Sequence, residues 1–73
     1  MAIKMVTKKA TEIDHIETGK RIRKERERIG MSLRKLAILM GITPPFLSDL
    51  ELGRRNWNED RFNLAVEKME KGE

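Results

Sequence analysis

Seventy-three residues, 38% of them charged, suffice for one small domain with a single modest core. The chain has no cysteine and one histidine, which excludes disulfides, thiolate metal sites and a histidine-rich metal cluster. Sixteen Lys and Arg against 12 Asp and Glu leave a net charge of +4, which either favours a polyanionic partner or merely keeps a small body soluble.

Residues 1 to 13, "MAIKMVTKKATEI", carry no helical stripe, although Ile3 and Met5 alternate with Ala2 and Lys4. The stretch reads as a basic tail, either flexible or forming a short strand that pairs with a second subunit. The longest apolar run in the chain is far short of the ~20 residues a membrane span needs. The amino terminus also lacks the apolar region of a signal peptide, so no membrane partner and a cytoplasmic location are expected.

A compact domain is expected over residues 14–70, with residues 71–73 fraying. Its first helix opens at Asp14, where Asp at the cap and Glu17 three residues later suit a capping box. Ile22, Arg26 and Ile29 then share one face, with Gly19 near it, and Gly30 ends the helix. A charge therefore stands on an apolar face. Lys20, Arg21, Lys24 and Arg28 form the opposite, solvated face.

The second helix is capped by Ser32, with Met31 placed to staple onto Leu36 and a stripe of Leu33, Leu36, Ala37 and Met40. Gly41 supplies its stop, and only Ile42 separates that glycine from Thr43, the next cap. Helices joined by so tight a step cross steeply, as in a helix-turn-helix unit. The third helix turns Leu47 and Leu50 inward, with Glu51 beside them, and stops at Gly53. It begins either at the Thr43 cap or, because a residue before proline resists the α region, one residue later at Pro45. The fourth is capped by Asn58, with Trp57 stapling onto Phe62 and a stripe of Phe62, Ala65, Val66 and Met69. The expected fold is an all-α bundle of four short helices, with room for a fifth.

The stretch "GKRIRKERERIGMSLRKLAILMGITPPFLSDLELGRR" resembles the Xre/Cro-type helix-turn-helix DNA-binding domain of bacterial and phage repressors. The resemblance spans about residues 17–69. It rests on Gly19 with Ile22 and Arg26, on Leu36 with Ala37, on Gly41 in the turn, and on "LSDLELG" with its acid and glycine. It implies that Arg26 pairs with Glu51 as a structural ion pair. The residues agree, since a charge on an apolar face needs a partner.

The same resemblance implies that the helix from Thr43 to about Leu52 enters the major groove. The positions matching the family's base readers are Leu33, Pro44, Pro45 and Asp49, with Ser48 beside them. Relatives often carry glutamine or arginine there, whereas proline and leucine offer no donor. Pro44 and Pro45 either pack against thymine methyls or only stiffen the helix start. Asp49 either accepts from a cytosine amino group or is a solvated helix residue. Because the prolines remove two amides, phosphate contacts are expected from the amides near Leu33, from Arg34, Lys35 and Thr43, and from Arg54, Arg55 and Asn56. DNA shape, with tail lysines in the minor groove, supplies further discrimination.

Double-stranded DNA with a palindromic operator is thus the expected partner, bound by a homodimer at the nucleoid. A second reading keeps the fold for an antitoxin or protein-partner subunit. No catalytic residue, metal or cofactor is expected. His15 stands without a catalytic partner, Glu59 and Asp60 suit the start of a helix dipole, and no phosphate-binding glycine loop is present.

Overall fold

A computed structural model describes residues 3–9 and 12–73. In chain order these form β1 (Thr7–Lys9), β2 (Glu12–Ile13), α1 (His15–Arg28), α2 (Leu33–Met40), α3 (Pro44–Glu51) and α4 (Glu59–Lys71). The all-α class stands, with a two-stranded addition at the amino end; among the described residues there are four helices.

The amino-terminal stretch folds back on its own domain. β1 and β2 pair antiparallel within the chain, Thr7 opposite Ile13 and Lys9 opposite Glu12. The segment before β1 is tied to α1 by the buried Thr18. Its hydroxyl accepts from the Val6 amide at 3.0 Å and donates to the Val6 carbonyl at 3.3 Å. Ile3, Met5 and Ile13 rest against the core. Within the expected tail, Met1, Ala2, Ala10 and Thr11 lie outside the described residues. Lys8 and Lys9 are exposed on β1.

Each helix starts at a side-chain cap three residues from the amide it serves. Asp14, Ser32, Thr43 and Asn58 accept from the amides of Glu17, Lys35, Phe46 and Arg61 respectively. The capping box at α1 is half made. The Asp14 amide donates instead to the Val6 carbonyl at 2.7 Å, which leaves the Glu17 carboxylate to Lys20. At the other end, α4 runs one residue beyond the expected limit. Gly72 caps it with a φ of 70°, its amide donating to the Lys68 carbonyl, and Lys71 pairs with Glu67 at 2.9 Å. Lys68 and Lys71 there favour the helix dipole.

The core is contiguous across all four helices: Ile22 from α1, Leu36, Ala37 and Met40 from α2, Leu47 and Leu50 from α3, and Phe62, Ala65 and Met69 from α4. Trp57, 2% exposed, closes it from the α3–α4 connection and meets the Phe62 ring edge-on at 6.0 Å between centroids. The turn between α2 and α3 needs the left-handed φ of 74° that Gly41 adopts without a Cβ penalty. The Gly41 and Ile42 amides there bond back to the Ile38 and Ala37 carbonyls, so the turn leaves α2 already satisfied.

Candidate nucleic-acid interface

The pose of α3 is set from behind by polar contacts that the core cannot supply. Arg26 of α1 meets Glu51 of α3 in a two-pronged pair, Nε to Oε2 at 2.8 Å and Nη2 to Oε1 at 3.0 Å. Its remaining Nη1 donates to the Met31 carbonyl at 2.8 Å, so the guanidinium joins α1, α3 and the start of α2. Hydrogen bonding to Glu51 holds the Arg26 guanidinium above its ordinary pKa. Beside the pair, α1 touches α3 through Gly19. A Cβ there would collide with the carbonyl oxygens of Leu50 and Glu51.

The end of α3 is tied to the following connection. Trp57 Nε1 donates to the Leu50 carbonyl at 3.0 Å, and the Trp57 amide donates to His15 Nδ1 at 2.8 Å. His15 therefore serves as a hydrogen-bond acceptor that docks the α3–α4 connection on the start of α1. Among the described residues no group of three or more His, Asp or Glu could hold a metal ion, and no helix is long and apolar enough to cross a membrane.

At its start, α3 begins at Pro44 and not one residue later. The Thr43 hydroxyl accepts from the Phe46 amide at 3.3 Å, and Pro44 and Pro45 occupy the first two helical positions. Those prolines have no N–H, the Phe46 amide is taken by the cap, and the Leu47 amide bonds to the Thr43 carbonyl. The first turn of α3 thus has no free amide. By contrast, Leu33 and Arg34 at the start of α2 keep amides with no helical carbonyl four residues before them, while Ser32 takes the next two, those of Lys35 and Leu36.

Along α3 and its closing residue Leu52, Pro45 and Leu52 are exposed, whereas Pro44, Ser48 and Asp49 are half-buried. Leu33 and Ser48 come together with Arg23 and Leu52 around one small hollow above the buried ion pair. Arg54, Arg55 and Asn56, all exposed, share a second, open hollow with Phe46 and Arg61. Arg34 and Lys35 do not join either group. They lie on the exposed side of α2 beside Ile38.

Two members of the second hollow are absent from the expected DNA-contact residues. Phe46 offers its ring to two guanidiniums, with Arg55 Cζ 4.3 Å and Arg61 Cζ 5.0 Å from the centroid. Arg61 Nη1 also donates to the Asn56 carbonyl at 3.2 Å. No local pattern marks these contacts, because the partners lie on different elements. Arg55 further pairs with Asp49, Nε to Oδ2 at 3.6 Å, so this acid of α3 is engaged by a neighbouring base.

A family model described as a helix-turn-helix (HTH_3) matches residues 22–64, more than half of the chain. The chain belongs to the Xre-type helix-turn-helix family. The match runs from Ile22 to Leu64 and so takes in the Arg26–Glu51 pair, the Gly41 turn and all of α3. This helix-turn-helix chain is therefore one of a family of DNA-binding transcription regulators whose partner is double-stranded DNA. No match was found among curated proteins or among solved structures.

Proposed function

We propose that this helix-turn-helix protein is a repressor that binds one double-stranded operator sequence with α3 in the major groove. The observation that carries the reading is one face of α3 with an exposed Pro45 and half-buried Ser48 and Asp49, Ser48 lying beside Leu33 at the start of α2 and Asp49 beside Arg55 of the α3–α4 connection. Major-groove readers present such a helix side to base edges while flanking residues grip phosphate. In this arrangement Pro44 and Pro45 meet thymine methyls, Ser48 and Asp49 address polar base edges, and Leu33 approaches from the start of α2. Arg34, Lys35, Thr43, Arg54, Arg55 and Asn56 address the backbone. A two-fold homodimer on a palindrome with half-sites about 34–36 Å apart completes the proposal.

Selection from a random duplex library, followed by sedimentation of the complex, tests it. A palindromic consensus bound by two chains is expected. Absence of duplex binding even at low salt would refute it in favour of a second reading, an antitoxin or other protein-partner subunit. One observation favours that second reading: Ile38 and Leu52 are large apolar side chains, 64% and 46% exposed, on or beside the two helices of the motif.

A further inference from the structure

We infer that Asp49 makes the phosphate grip of Arg55 conditional on the base beside it, and so suppresses binding to unrelated DNA. The inference rests on the DNA-binding reading above. A carboxylate and a phosphate compete for the same guanidinium fork. Arg55 therefore has two uses, the internal one with Asp49 or the external one with the DNA backbone.

The geometry makes these uses exchangeable. The two side chains approach only to 3.6 Å, with Arg55 51% and Asp49 36% exposed, so the pair is one that water screens and a phosphate can displace. The guanidinium does not wander when the acid lets go, because the Phe46 ring lies 4.3 Å beneath it. Nor does the connection swing away, since the Arg54 amide donates to the Asp49 carbonyl at 2.8 Å independently of the side chain. Release has a cost that falls on Asp49. Its carboxylate, freed of Arg55 and facing the phosphates, is repelled unless a base edge offers it a donor. The cytosine amino group is such a donor in the major groove. Where cytosine stands opposite, both groups are satisfied at once. Elsewhere Arg55 stays with the acid or the acid stands uncompensated, and a backbone contact is lost.

Asp49→Ala and the near-isosteric Asp49→Asn are the test, with folding followed by circular dichroism. Binding of each full-length chain to a duplex of unrelated sequence and to its selected site is titrated across salt concentrations. Removal of the acid is expected to raise unrelated-duplex affinity roughly five- to tenfold near ~0.1 M salt and to steepen the salt slope by about one unit, the signature of one added phosphate contact. The ratio of selected-site to unrelated-duplex affinity falls. In the Arg55→Ala background the same substitutions are expected to add nothing. A gain that persists without Arg55 would mean general charge relief and overturns the inference, as does a slope that removal of the acid leaves unchanged when the wild-type chain binds DNA. A wild-type chain that binds no duplex at low salt removes the DNA-binding reading itself, and the inference with it.

Discussion

Replacing Arg26 by alanine removes three hydrogen bonds at once, two to Glu51 at 2.8 and 3.0 Å and one to the Met31 carbonyl at 2.8 Å. Arg26 and Glu51 are 8% and 5% exposed, so bulk water has little access to the carboxylate left behind. Breaking such a pair from one side costs about 3–5 kcal/mol, because the surviving charge stays buried without its partner. Small domains hold only about 5–15 kcal/mol in total, and each kcal/mol is worth about 4–8 °C in Tm, so a fall of about 12–40 °C is expected. Removing both charges together separates the two contributions. Arg26→Met with Glu51→Leu fills similar volume and leaves no unpaired charge, so only the Met31 carbonyl is orphaned, at about 1–3 kcal/mol. Urea unfolding followed by the fluorescence of Trp57, the single tryptophan and 2% exposed, measures all three chains. An Arg26→Ala chain within about 1 kcal/mol of wild type, or a double variant less stable than the single one, would falsify the reasoning.

Gly19→Ala places a methyl against the Leu50 and Glu51 carbonyls, and backbone does not yield as a flexible side chain does. It should cost about 1–3 kcal/mol or more, read by the same urea series, and a neutral result would mean that α1 and α3 can part without penalty. His15→Ala removes the acceptor of the Trp57 amide and should cost about 1–3 kcal/mol; hydrogen exchange at that amide should quicken, and unchanged exchange would contradict the contact. Arg54→Ala, on an exposed side chain of the α3–α4 connection, should leave unfolding unchanged and make the salt slope of duplex binding shallower by about one unit. An identical slope would remove Arg54 from the phosphate contacts.

Features determined within one turn of helix were legible in the sequence. The four caps fall at Asp14, Ser32, Thr43 and Asn58 because capping joins residues three apart, and the Trp57–Phe62 staple is similarly local. Arg26 was legible for another reason: a charge on an apolar face demands a partner, and the family resemblance pointed to Glu51, with which it pairs. In the amino-terminal stretch a short strand was one of two readings, but its partner within the chain was not legible, nor was the tie of Val6 to Thr18, twelve residues along. The pairing of Arg55 and Arg61 on Phe46 was hidden for the same reason. Contacts between separate elements leave no periodicity to read.

The two prolines can now be assigned a distinct consequence. An α3 opening with ordinary residues would point free amides at whatever lay before it, as the start of α2 does with Leu33 and Arg34. Pro44 and Pro45 remove that capacity while Thr43 takes the Phe46 amide, so the tip of α3 has no free amide to offer an anion. Pro45→Ala isolates this effect, because it returns a single N–H at the second helical position and leaves the cap intact. Stability should drop by only about 0.4–1 kcal/mol, the share that proline contributes by restricting the unfolded chain. If the ridge reads thymine methyls, selection with the variant should lose its preference for thymine at one position per half-site. If the closed tip is instead what excludes phosphate, the preference should persist while unrelated-duplex affinity rises. A variant that changes neither quantity would leave Pro45 with no part in DNA recognition.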